Sequence, residues 1–192
     1  MRLLRGLALL LCVSTLAFAA SSCGSSGGTT YSGTKPNTWA ATVCGAIGGW
    51  AQGLEADSAR LGASVVGNKD LKVVRAKFVA FLEKAVRSSR VMVTRIGSAG
   101  APAVKDGAAI EQELVSGLEG AQTSFTRAIA KAKRLPTTDL EAFGTAVQAL
   151  GVEVSKELTA VGEKFNALGE KYQDMSLKKA TSSEPACAKI AG

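Results

Sequence analysis

Cysteine is the residue type whose placement in this 192-residue chain points most directly to chemistry. The chain has four cysteines, Cys12, Cys23, Cys44 and Cys187. The last two lie near opposite ends of the region that we expect to fold, and in an exported protein such a pair is first interpreted as a disulfide. They are too far apart for a Cys-x-x-Cys redox motif, and a metal site would lack histidine, which is absent. The placement predicts a structural disulfide between Cys44 and Cys187.

Acid–base catalysis has few candidate residues in this sequence. Without histidine, the most common general base and the Ser-His-Asp triad are both excluded. Carboxylates do occur in pairs, Glu111 with Glu113 and Glu153 with Glu157, but on the polar faces of expected helices, where solvated charge is usual. Asp57 interrupts an apolar helix face and is interpreted as a polar contact or, alternatively, as a functional group in a crevice. We expect no catalytic residue, metal site or cofactor.

The N-terminal segment has the pattern of an export signal. Arg2 and Arg5 precede an apolar run over residues 6–20. At this length the run is shorter than the roughly 20 residues that a membrane-spanning helix needs. A short apolar run behind a positive N-terminus is typical of a secretory signal peptide, so the sequence predicts one over 1–22.

The end of this signal predicts how the chain is processed. Small residues at 20–22 precede Cys23, which resembles the lipobox in which the cysteine becomes lipidated. The Gly-, Ser- and Thr-rich stretch that follows is typical of a flexible linker, and we expect a lipidated tether over 23–36. The alternative is simple secretion after cleavage near residues 17–19. The first interpretation places the protein on the extracytoplasmic face of the cell membrane, with its N-terminal lipid in the bilayer.

Apolar residues that recur every three or four positions predict four helices. We expect them over about 37–66, 69–96, 106–135 and 138–175. Because the connections are short, neighbouring helices should be antiparallel. The predicted fold is therefore all-α, an antiparallel up-down-up-down four-helix bundle over 37–192. This topology brings both chain ends of the domain together, where the predicted disulfide would join them.

The fourth helix has the clearest pattern of the four. Thr138 and Glu141 match a capping box, in which the two residues satisfy each other's free backbone N–H groups. The apolar positions that follow are three or four residues apart as far as Met175. They predict a helix of nearly 40 residues, about 55–60 Å long at 1.5 Å per residue.

Glycines recur along one side of two of the predicted helices. Each costs about 1 kcal/mol in a helix interior relative to alanine, so such stripes need a structural reason. One reason is close packing of the two helix backbones, and the other is a cleft for an elongated apolar ligand. The candidate cleft residues are Gly45, Gly49 and Gly53 in the first helix and Gly144, Gly151, Gly162 and Gly169 in the fourth.

Positive charge is concentrated in the second predicted helix. Residues 69–95 contain eight basic and two acidic side chains, a net charge of +6. Such a face could bind an anionic envelope polymer or a protein partner, or it could be a solvated helix surface. Nucleic acid is not an expected partner outside the cytoplasm. The candidate basic surface comprises Lys77, Lys84, Arg87, Arg90 and Arg95.

Several short features together resemble the small helical lipoproteins of high-GC actinobacteria. These features are the lipobox-like ASSCGSSGG, Trp39 and Trp50 around Cys44, Gly-Ala-Pro at 100–102, Leu-Pro followed by Thr-x-x-Glu at 135–141, and the late Cys187. The likeness extends over nearly the whole chain. The resemblance implies location and fold and does not imply an activity.

Two functions follow from these patterns. The first is a non-catalytic binding or scaffold module of the cell envelope that acts through the basic face. The second is a carrier that holds a lipid or another apolar small molecule in a glycine-lined cleft.

Overall fold

The computed structural model describes residues 30–191 of the chain. Within that range the fold is all-α and has six helices. None of them is long and apolar enough to span a bilayer. The expected signal peptide and Cys23 lie outside the described residues. The helices are α1 (Pro36–Val65), α2 (Leu71–Ala99), α3 (Gly107–Ala132), α4 (Leu140–Lys171), α5 (Met175–Ser183) and α6 (Pro185–Ala191).

The last of the four predicted helices differs most from its prediction. Asp139 caps α4 by accepting a hydrogen bond from the Ala142 N–H, so the predicted cap at Thr138 is wrong by one residue. The helix also ends at Lys171. Asp174 then caps a separate helix, α5, through the N–H groups of Ser176 and Leu177. The expected single rod is therefore a 32-residue helix followed by two short helices.

The long helices pack in chain order, α1 on α2, α2 on α3 and α3 on α4. Contacts between their ends show that neighbours are antiparallel. The indole N–H of Trp39, at the start of α1, donates to the carbonyl of Gly100, just after α2. Arg75, at the start of α2, donates to the carbonyl of Leu135, just after α3. Lys171, at the end of α4, pairs with Glu113 near the start of α3.

The first half of α1 is covered by α5 and α6, around Ala40, Cys44 and Gly48. Both short helices pack on α1, whereas α1 and α4 do not pack closely along their lengths. The predicted disulfide between Cys44 of α1 and Cys187 of α6 is confirmed, and it closes a separation of 143 residues. Ala40 and Ala180 are fully buried beside it. The segment after α4 is thus a clip that is covalently fixed to α1.

The domain begins before α1, inside the stretch expected to be tether. Thr34 forms two backbone hydrogen bonds with the break between α2 and α3, from its N–H to Ala101 and from the Ala103 N–H to its carbonyl. These contacts fix the entry of the chain beside the end of α2. Gly107 starts α3 directly under the same loop, and a Cβ atom there would lie 2.0 Å from the Pro102 oxygen. The end of the molecule where the chain enters is therefore tightly packed.

Candidate functional site

An apolar groove of about 530 Å³ lies between the four long helices. It follows from the packing order, because α1 and α4 are not in close contact and their facing sides remain partly uncovered. We call it the α1–α4 groove. Each helix contributes side chains or backbone to its wall: Ile47, Trp50, Ala51, Leu54, Glu55 and Ser58 from α1, Phe78, Phe81, Leu82 and Met92 from α2, Leu118, Ala121 and Phe125 from α3, and Leu150, Gly151, Val154, Leu158, Val161, Gly162 and Phe165 from α4.

The walls of the groove are the inward faces of amphipathic helices. Of the 32 residues of α4, only Phe143 and Leu150 are buried, although its apolar stripe continues along the helix. Val154, Leu158 and Phe165 are only half-buried because nothing on α1 packs tightly against them. The sequence pattern located these apolar residues correctly. It did not decide between a filled core and a groove; the glycine stripes raised a cleft as one of two alternatives.

Trp50 is the aromatic side chain that α1 contributes to the groove. Its ring meets the edge of Phe125, with 6.3 Å between ring centroids. The indole Nε1 is shielded from solvent and has no hydrogen-bond partner among the described residues. A shielded donor without an acceptor destabilises a protein by about 1–3 kcal/mol. Trp50 therefore carries a shielded donor whose hydrogen-bonding capacity is unused, and no sequence pattern indicated it.

Only two of the seven candidate cleft glycines lie in the wall of the α1–α4 groove. Gly151 and Gly162 of α4 line the α1–α4 groove. The three glycines of the α1 stripe do not line it, and neither do Gly144 and Gly169. At all seven positions an added Cβ would meet no atom within 4 Å, so none of them is explained by close packing against a neighbouring helix. The structure gives us no physical account of Gly45, Gly49 and Gly53.

The candidate carboxylates form ion pairs between helices. Glu153 pairs with Lys131, and Glu157 pairs with Arg127. The hydrogen bond from Ser124 to Glu157 and the adjacent Arg127 lower the pKa of that carboxyl below its usual range. These α3–α4 contacts account for both acids of the second predicted pair.

Glu113, from the first predicted pair, also belongs to an α3–α4 contact. It accepts hydrogen bonds from Lys171 and from the Tyr172 hydroxyl. The bond from Lys171, and then the bond from Tyr172, lower the pKa of Glu113. The other acid of the pair, Glu111, makes no ion pair within the described residues. The arrangement joins the start of α3 to the end of α4.

A second, polar crevice lies between α3 and α4 on the other side of Phe165. Its volume is about 520 Å³, and its wall includes Lys164, Lys171 and Glu113. Phe165 lines both spaces, and its ring lies 3.4 Å from where a Cβ on Gly117 would be. The ring therefore separates a charged crevice from an apolar groove.

The candidate basic surface is only partly available for binding. Lys84 pairs with Asp57 of α1, and Lys77 donates to the carbonyl of Ser64. These two lysines hold α2 against α1. Arg87, Arg90 and Arg95 are exposed and form no ion pair within residues 30–191; they lie with the exposed Val91 on α2. Asp57, which also pairs with Arg60, is a polar contact between helices.

Comparisons with known proteins leave the chain without a relative from which to transfer a function. No family model, no curated protein and no solved structure matches it. Its function therefore has to be argued from its own residues.

Proposed function

We propose that this chain is an extracytoplasmic lipoprotein, anchored through a lipid on Cys23, whose helical domain carries an elongated apolar molecule. The α1–α4 groove is the observation that carries the proposal. In this view the four long helices form an up-down-up-down bundle that stays open between its first and last members. The clip of α5 and α6 fixes the end of the chain to α1 without covering the groove.

The size and lining of the groove favour a hydrocarbon chain as ligand. The wall on α1 extends from Ile47 to Ser58, about 17 Å at 1.5 Å per residue. The wall on α4 extends from Leu150 to Phe165, about 22 Å by the same measure. Each methylene that leaves water for such a surface contributes about 0.8 kcal/mol. A chain of modest length could therefore offset the entropy that it loses on binding.

The direct test is the content of the groove after purification. The full chain carrying Cys23→Ser would be exported, released without its lipid and purified without detergent. We expect native mass spectrometry to show a co-purifying apolar molecule, and solvent extraction to recover it. Repeated recovery of the empty protein, together with failure to bind added hydrocarbon chains, would exclude the carrier function.

The glycines of α4 provide a matched pair of variants for this test. Gly162→Leu places a side chain in the groove, where a Cβ meets no atom within 4 Å. It should abolish ligand binding while leaving the fold intact, because leucine has a higher helix propensity than glycine. Gly169→Leu makes the same change on the same stripe outside the groove, and it should bind ligand as the parent chain does.

A binding or scaffold role remains a second candidate function, favoured by the three exposed arginines beside Val91. Reversal of Arg87, Arg90 and Arg95 to glutamate would test it, with envelope retention of the unlipidated chain as the readout. Lys84 is left unchanged because its ion pair with Asp57 joins α1 and α2. Unchanged retention would exclude this role.

A further inference from the structure

The charge of the groove wall is opposite in sign to the charge of the chain. The chain has a formal net charge of +7. Among the residues that line the α1–α4 groove, Glu55 alone is ionisable, and no lysine or arginine is present. Glu55 is exposed, so it lies at the mouth of the groove and remains hydrated. A ligand that enters there meets a negative charge and no positive one.

Lysines on the helices around the groove have other partners or line another space. Lys84 forms an ion pair with Asp57, and Lys77 donates a hydrogen bond to the carbonyl of Ser64. Lys164 and Lys171 lie in the crevice on the far side of Phe165. The Phe165 ring, which rests against Gly117, lines both spaces and lies between these lysines and the groove. An anionic head in the groove would have no ion-pair partner.

The polar side chains of the groove wall are Glu55 and Ser58, which are exposed, and Trp50, whose polar group is a donor. Trp50 lines the groove, and its shielded Nε1 has no acceptor among the described residues. Nε1 is closed to solvent in this structure, whereas the indole as a whole is only partly buried, so a ligand would reach the N–H only after the ring had turned. An oxygen atom on the ligand then supplies the missing acceptor.

Resting on the carrier function proposed above, we infer that the groove selects an uncharged single-chain lipid whose head carries an oxygen acceptor, such as an ester. Glu55 disfavours anionic heads at the mouth, and the Trp50 N–H is the donor to the ligand oxygen. A carboxylate would have to be buried without a cation or protonated on binding, and both are unfavourable at neutral pH.

Two probes of equal chain length separate the inference from the carrier function. The exported Cys23→Ser chain, freed of bound lipid, would be titrated with methyl laurate and with laurate at pH 8. We expect the ester to bind about tenfold or more tightly than the anion, because only the anion carries a charge into the groove. The difference should shrink when the pH falls far enough to protonate the acid.

Two substitutions test the assigned residues. Glu55→Gln should tighten laurate binding several-fold and leave methyl laurate unchanged. Glu119→Gln removes an equal charge from an exposed position of α3 outside the groove and should change neither. Trp50→Phe keeps an aromatic ring but removes the N–H, so it should weaken the ester several-fold and leave dodecane binding unchanged.

The possible results have distinct meanings. If none of the probes binds, the carrier function itself fails. If ester and anion bind equally, the carrier function stands and the selection for uncharged heads is wrong. If laurate binds better and Lys164→Gln removes that preference, the head lies in the crevice beyond Phe165, and the inference is overturned. Equal loss of ester and dodecane binding in Trp50→Phe would remove the role of the indole N–H.

Discussion

Gly107 shows at the scale of one residue how tightly the entry end of the domain is packed. A Cβ atom at this position would lie 2.0 Å from the oxygen of Pro102 and 3.1 Å from its carbonyl carbon. Backbone atoms cannot move aside as the end of a flexible side chain can. We therefore expect Gly107→Ala to lower the free energy of unfolding by about 2 kcal/mol or more.

The control for this substitution is a glycine in the same helix. Gly120 is exposed, and a Cβ there meets no atom within 4 Å, so Gly120→Ala should raise stability by up to about 1 kcal/mol. Denaturant unfolding of the two variants measures both effects. Equal effects of the two substitutions would show that the contact with Pro102 is unimportant.

Glu113 makes the contact between α3 and α4 sensitive to pH. Hydrogen bonds from Lys171 and Tyr172 hold the folded-state pKa of Glu113 below its ordinary value of 4.5. A lowered carboxyl pKa contributes stability that is present above the unfolded-state pKa and is lost as the pH falls through the folded-state pKa. We expect the melting temperature to fall less between about pH 5 and pH 3 in Glu113→Gln than in the parent chain. Glu119→Gln should behave as the parent; a Glu113→Gln profile parallel to the parent's would contradict the account.

The clip of α5 and α6 is the element that the disulfide holds in place. Without the bond between Cys44 and Cys187, these two short helices would be kept on α1 by a small cluster around Ala40 and Ala180 and by Leu177, which packs against the main core. Replacing both cysteines with serine should cost about 2–5 kcal/mol of unfolding free energy, given the long loop that the bond closes. Limited proteolysis should then cut first after α4. Resistance equal to that of the parent chain would show that the clip does not need the bond.

The sequence predicted the long helices and the cysteine pair, but the predicted end of the fourth helix was wrong. Apolar periodicity continues through Tyr172 to Met175, so it predicts one uninterrupted helix. The structure ends α4 at Lys171 because Asp174 caps a new helix with its side chain. Met175 is then 76% exposed. Periodicity shows which face of a helix is apolar, but a single capping residue decides where the helix stops.

At the scale of the whole molecule, the groove was only partly predictable from the sequence. The pattern gave the apolar faces of α1 and α4 and singled out Gly151 and Gly162, which line the groove. It could not show that these faces stay apart, because that depends on the packing of all six helices. The clip, for which the sequence predicted no separate helices, takes up part of the α1 surface. The unused donor on Trp50 is likewise a property of the assembled molecule.

The most direct test of the account uses tryptophan fluorescence. Of the two tryptophans, Trp50 lines the groove, whereas Trp39 is buried in the core with its N–H bonded to Gly100. A methyl stearate brominated along its chain quenches an indole that it touches. The account predicts that saturating probe quenches part of the emission, and that this quenching disappears in Trp50→Phe. Emission that is unchanged at saturation, or quenched equally in Trp50→Phe, would contradict it.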